Sequence, residues 1–152
     1  MDKDKKKIET LIGFDFGTKR IGVAVGQTIT YSATPLTVVN AKKGVPNWSL
    51  IKNLKNEWKA DAFVVGMPYN VDGTEQFITK EAKKFGKKLE KKFDLPVYFV
   101  DERLTTKEAN LTLSNTHNKK KLLGNKRMAI DSYAAKIILE SFLRLKKHRG
   151  NM

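Results

Sequence analysis

The sequence predicts an α/β domain built around a mixed sheet. Three observations carry this. Three strand-like segments follow one another with no helix between them, and the later strand-like segments alternate with helical ones. In addition, 40% of the 152 residues are hydrophobic, enough for a core in a chain of single-domain length. No internal repeat or linker divides the sequence, so 1–152 reads as one domain, with 1–7 and 148–152 as flexible tails.

Ile8 to Phe16 is apolar, β-branched and short, which is a strand pattern. Gly17-Thr18-Lys19-Arg20 follows as a tight turn, and Ile21 to Val25 returns as a second strand, making a hairpin. Thr34 to Asn40 is the third strand, with Pro35 at its start, where a missing N–H does least harm. Trp48, Ile51, Leu54 and Trp58 recur at helical spacing and form one face of a helix. Ala62 to Gly66 lacks polar alternation, as a strand buried on both faces does. Gly73-Thr74 is expected to open a longer helix. Ile78, Ala82, Phe85 and Leu89 make its buried stripe, Lys80 to Lys92 load the remainder with lysine, and Leu95-Pro96 ends it. Val97 to Val100 is a further strand. Thr105 and Glu108 fit a capping box. Ser114 to Lys126, polar and lysine-rich with Gly124, reads as a mobile loop. A final helix is expected from Arg127 to Lys147, with Ala135, Ile138, Leu139, Phe142 and Leu145 facing inward.

Charge narrows the function. There are 30 Lys+Arg against 16 Asp+Glu, a formal net charge of +14. Such a field favours an anionic partner, either nucleic acid or an acidic membrane surface; the plainer reading is a soluble protein of a lysine-rich proteome. There is no cysteine, which excludes disulfides, thiolate catalysis and cysteine zinc sites. The segment after Met1 to Lys7 is broken by Glu9 and Asp15, and no apolar run approaches the roughly 20 residues that span a bilayer. The expected location is the cytoplasm.

Three carboxylates stand out. Asp15 ends the first apolar strand among Phe14, Phe16 and Gly17, and a charge there needs a partner. Glu102 lies just past a buried strand, next to Asp101, and alternation sends these two neighbours to opposite faces, so at most one of them faces a given site. Asp131 precedes Ala135, Ile138 and Phe142 at +4, +7 and +11 and so shares the buried stripe of the last helix. Plainer readings exist for each: a turn residue bonded to Lys19 or backbone N–H groups, a carboxylate paired with Arg103 or a lysine, and a first-turn acid favoured by the helix dipole. Taken together, two strand-end acids and one helix acid can meet at one sheet edge, where only a divalent cation relieves their repulsion. All-oxygen ligands favour Mg²⁺ or Mn²⁺ over Zn²⁺. In a basic protein that set suits phosphodiester hydrolysis.

The run Ile12-Gly13-Phe14-Asp15-Phe16-Gly17-Thr18-Lys19-Arg20-Ile21-Gly22-Val23-Ala24-Val25 resembles the opening of the YqgF family, described as pre-16S rRNA nucleases and as Holliday-junction-resolvase-like. Three more blocks fit in order: Val65-Gly66-Met67-Pro68 with Asp72-Gly73-Thr74-Glu75; Val100 to Thr106 with Glu108-Ala109; and Asp131-Ser132-Tyr133-Ala134-Ala135. The resemblance covers about residues 10–145. It implies an RNase H-like fold, a mixed five-stranded sheet flanked by helices with its first three strands antiparallel. It also implies metal-dependent nuclease chemistry in ribosomal RNA maturation, with Asp15, Glu102 and Asp131 as catalytic, metal-binding acids. By matching, Glu102 rather than Asp101 is the acid of its block. The sequence departs from the family at Gln27, where members often carry an acid, and at Ala134, which leaves out the fourth carboxylate of some junction resolvases.

Lys19 and Arg20 either hold a scissile phosphate or form a solvated turn, and Arg103 either pairs with Glu102 or contacts phosphate. Thr105 and Thr106 read most simply as a helix start, and the lysines of 80–92 as a solvated face. Lys119, Lys120, Lys121, Lys126 and Arg127 adjoin the helix of Asp131 and are expected to grip substrate. His117 and His148 read as surface residues. The expected partner is nucleic acid, pre-rRNA first and structured DNA second, with ribosomal particles, no membrane, and a monomeric or weakly dimeric state. Three alternative readings fit parts of the sequence. A Holliday junction resolvase would cut DNA. A sugar-kinase or actin-like ATPase shares Asp15-Phe16-Gly17-Thr18 but needs two domains. A non-catalytic RNA-binding assembly factor would bind without turnover.

Overall fold

The computed structural model describes residues 7–105 and 126–149. One mixed sheet runs in the order β4-β3-β2-β1-β5-β6. Its strands are β1 (Thr10–Asp15), β2 (Arg20–Gln27), β3 (Ser32–Lys42), β4 (Val45–Pro46), β5 (Ala62–Met67) and β6 (Val97–Asp101). The helices are α1 (Trp48–Trp58), α2 (Phe77–Phe93) and α3 (Lys126–Arg149). β1, β2 and β3 pair antiparallel in succession, whereas β5 and β6 run parallel to β1. The C-terminal ends of β1, β5 and β6 therefore lie along one edge.

Alternation divides the core into two layers. Ile12 and Phe14 of β1, with Phe16 just past its end, join Phe63 and Val65 of β5 and Ile51, Ala82, Phe85 and Leu89 of α1 and α2 on one face. Phe14 and Phe85 meet edge-on at 5.2 Å, a favoured aromatic geometry. The opposite face carries Leu11, Ala24, Val64 and Val100, covered by Ala135, Ile138, Leu139, Phe142 and Leu143 of α3. At about 1.5–3 kcal/mol for each large apolar side chain removed from water, the second layer depends on α3.

Several expectations change. The sheet has six strands rather than five. The extra one, β4, pairs with Ala41 and Lys42 through Lys43 and Gly44, both at positive φ (51° and 82°), a two-residue turn whose twist suits a hairpin. Pro35 lies inside β3, beside a register shift opposite Val23 and Ala24, where a bulge accommodates a residue that cannot donate. The long helix opens at Phe77, not at Gly73-Thr74. There the Asp72 carboxylate accepts from the Thr74 N–H and hydroxyl at 3.0 and 2.7 Å, a local turn that competes with helix. Leu145 is 43% exposed rather than inward, and α3 continues through His148 and Arg149, part of the expected tail. The expected loop, Ser114 to Lys126, lies outside the described residues except for Lys126, which opens α3 instead, and the capping partners Thr106 and Glu108 lie outside them too. Thr105 itself is buried, and its hydroxyl donates to the Glu102 carbonyl at 2.9 Å, closing the short 3-10 turn Glu102–Leu104.

Candidate active site

Asp15 occupies the end of β1 on the face covered by α3, two positions after Gly13, whose missing side chain faces Leu139. Its cross-strand partner on β2 is Gly22. On β5, Phe14 aligns with Val65, so Gly66 follows beside Asp15. The row Gly22, Asp15, Gly66 places a carboxylate between two positions with no side chain. Both gaps are filled from outside the row. A Cβ on Gly22 would lie 1.9 Å from the Asp131 carbonyl oxygen, and one on Gly66 would lie 2.7 Å from Glu102 Oε2. Glycine inside a strand marks such a close approach. Here it seats the start of α3 on one side of Asp15 and the Glu102 side chain on the other.

Electrostatics reflects the crowding. The Asp15 carboxyl is held well above the usual carboxylate range, first by burial, then by the charge of Glu102 and then by that of Asp131. Glu102 is pushed up to about 7, by burial and then by Asp101. The repulsion within the Asp15–Glu102 pair falls on whichever group ionises second, and the more deeply desolvated Asp15 is that group. Asp131 is turned to a different partner: its Oδ2 accepts from Arg20 Nε at 3.0 Å. Among the described residues, no group of three or more His, Cys, Asp or Glu is placed to hold a metal ion. The donor chemistry of the Asp15–Glu102 pair nevertheless fits a hard divalent cation: only oxygen ligands, two acids side by side, and burial that disfavours their charges until a counter-charge arrives.

The remaining expected residues divide. Arg103 pairs not with Glu102 but with Asp101, its Nη2 at 2.6 Å and its Nε at 3.0 and 3.1 Å from the carboxylate oxygens. Capping explains the choice: Asp101 ends β6 and caps the 3-10 turn, its carboxylate accepting from the Arg103 N–H at 2.9 Å, which brings the Arg103 side chain back over it while Glu102 lies against Gly66. Arg103 also lies over the Tyr69 ring at 5.5 Å. Lys19 is exposed in the β1–β2 turn, and His148 is exposed on α3. Lys119, Lys120, Lys121 and His117 lie outside the described residues, and of Lys126 and Arg127 only the helical backbone is described. Gln27 pairs with Thr10 at the opposite end of β1, so its departure from the family pattern does not touch Asp15. The concavities of about 390 and 310 Å³ beside Gln27 are at that far end and hold none of the three carboxylates. Sequence reasoning missed Gly22, Gly66 and the partner of Arg20. The two glycines did carry a signal, since each interrupts an apolar strand run. The Arg20–Asp131 pair, 111 positions apart, left none.

The chain is similar to known proteins over most of its length. Residues 9–145 match the family model described as "RuvX: Holliday junction resolvase". A relative from Coxiella burnetii named "Putative pre-16S rRNA nuclease" is 50% identical over 137 residues, covering 90% of this chain and 94% of that one. One of the same name from Saccharophagus degradans is 47% identical over 136 residues, with the same two coverages. Among solved structures, RuvC of Thermus thermophilus in complex with a Holliday junction substrate superposes with a TM-score of 0.55 at 14% identity, covering 92% of this chain and 96% of that one. The yeast mitochondrial Holliday junction resolvase gives 0.56 at 12% identity, with coverages of 97% and 85%. These likenesses show the fold, which is RNase H-like.

Proposed function

The chain belongs to the RuvX family of Holliday junction resolvases, and from that membership together with the half-buried Asp15–Glu102 pair we propose that it is a divalent-metal-dependent nuclease acting on the 5′ end of pre-16S rRNA. The observation that carries the proposal is the Gly22-Asp15-Gly66 row, which seats the Glu102 side chain and the backbone of Asp131 beside a carboxylate that cannot comfortably ionise alone. Asp15 and Glu102 would hold the cation, with Asp131 as a third oxygen donor. When bound, Mg²⁺ or Mn²⁺ supplies an activated water and a counter-charge for the leaving oxygen. The chain does the rest. The carboxylates, held by β1, the end of β6 and α3, fix where the phosphodiester must lie. Lys19 and Arg20 in the adjoining turn, Arg103 on the rim, and the basic residues Lys119, Lys120, Lys121, Lys126 and Arg127 attract and position the sugar-phosphate backbone. This reading puts the protein in the cytoplasm with ribosome precursors.

A four-way DNA junction is the second substrate, favoured by the family description. The test is metal-dependent cleavage of a pre-16S rRNA fragment beside a four-way DNA junction, using wild type and Asp15→Asn. Cleavage of the RNA by wild type, with turnover lost by at least roughly 100-fold in the variant and RNA binding retained, is the expected result; loss of even an outer partner of a metal ligand costs 10–100-fold. Asp15→Asn cutting at the wild-type rate would refute the mechanism. Preferential cutting of the junction would move the assignment to DNA. Binding of both with no cutting would make the protein an assembly factor.

A further inference from the structure

Arg20 is bonded to one of the three acids proposed above as metal ligands, and this contact has a consequence for substrate binding. Its Nε donates to Asp131 Oδ2 at 3.0 Å, and the two side chains remain 34% and 25% exposed. A pair that water still reaches is easily exchanged. The backbone of Arg20 is fixed, since it opens β2 and pairs with Asn40, two residues before the Gly22 that faces Asp15. Arg20 and Gly22 share one face of β2, so the Arg20 guanidinium stands on the same side of the sheet as Asp131 and Asp15. A planar fork of donors suits a carboxylate and a phosphate equally well. A divalent cation at Asp15 and Glu102 competes with that guanidinium for Asp131, because both are positive and both need the same oxygens.

We propose that Arg20 is a positioning residue that holds Asp131 until a divalent cation displaces it and then clasps a substrate phosphate, so that metal and nucleic acid bind cooperatively through one side chain. This rests on the metal-nuclease reading. By linkage, a nucleic acid that draws Arg20 from Asp131 favours the cation, and the cation favours the nucleic acid by the same factor.

The test uses the full chain, with calorimetric titration of Mn²⁺ alone and salt-dependent binding of a single-stranded RNA in Ca²⁺ or EDTA. Wild type is expected to gain about one phosphate contact with Ca²⁺, steepening its log–log salt slope by roughly 0.7. Arg20→Gln should bind Mn²⁺ roughly 5- to 10-fold more tightly, at the lower end of typical coupling, and keep the shallow slope in both buffers. Asp131→Asn, which releases Arg20 from the other side, should keep the steep slope in both. Arg20→Lys retains the charge without the fork, so a fully wild-type Ca²⁺ response in it would show charge alone at work and overturn the exchange. Equal Ca²⁺ responses in wild type and Arg20→Gln overturn it too, while leaving metal binding intact. If Mn²⁺ produces no binding heat in wild type, both this inference and the metal-nuclease reading fail.

Discussion

Replacing Glu102 by Gln should flatten the pH dependence of stability in the metal-free protein. Glu102 releases its proton near 7 in the folded chain against an ordinary 4.5. A group whose folded pKa is raised binds more protons in the native state, so it costs nothing below about 4.5, and stability falls as pH rises through 7. The 2.5 units between the two values correspond to about 3 kcal/mol at 1.36 kcal/mol each, or about 2 kcal/mol once the water that still reaches Glu102 is allowed for. Asp15 adds to the loss in the same direction, because its carboxyl is also raised. The acids held low by partners, Asp72, Glu75 and Asp101, stabilise the fold above the usual carboxylate range and lose that effect only in stronger acid. The window from pH 5 to 8.5 therefore isolates the raised pair. Urea unfolding in EDTA, followed by circular dichroism across that window, should show wild type losing about 2 kcal/mol or more. Glu102→Gln should lose about 2 kcal/mol less over the same window, and its absolute stability at pH 5 does not enter the comparison. A wild type that is flat or more stable at alkaline pH, or a variant with the wild-type slope, would refute the crowded-carboxylate account.

Two further outcomes are expected. Gly22→Ala puts a methyl 1.9 Å from the Asp131 carbonyl oxygen, so the start of α3 must move. Thermal unfolding should show a loss of about 3 kcal/mol, the upper range for overpacking, and cleavage should fall even where the variant is folded; a wild-type melting temperature would show that α3 does not rest on β2. Replacing Lys119, Lys120 and Lys121 together with Ala should flatten the salt slope of nucleic-acid binding by roughly 1.5–2.5 units, two or three phosphate contacts, equally for unrelated sequences. An unchanged slope, measured by filter binding on the Asp15→Asn background, would make these lysines solubilising only.

Local patterns were readable where one physical cause dominated. β5 could be read because burial on both faces leaves no polar residue in Ala62–Met67. Asp15 drew notice because a carboxylate at the end of an apolar strand has to be accounted for. β4 could not be read, because two residues carry no periodicity and its turn depends on positive φ at Lys43, a residue type that does not advertise it. The start of α2 was misplaced because the Asp72–Thr74 turn competes with helix over only a few residues. The face of Glu102 followed from alternation only once the family pattern chose between it and Asp101, and the return of Arg103 to Asp101 needed the strand end in space. The least legible contact is Arg20 with Asp131, which depends on the whole topology closing.

The position of α3 makes the site dependent on completion of the fold. The same helix buries one entire face of the sheet and brings Asp131 to Arg20 and Gly22 across 111 positions of chain. A chain that has formed its hairpin and its first helices but not docked α3 has Asp15 at a bare strand end with an acid missing. On the proposed function, a chain in that state carries the charge that attracts nucleic acid but not the full set of carboxylates. Loss of α3 by heat or denaturant would then remove Asp131 in the same event that opens the core.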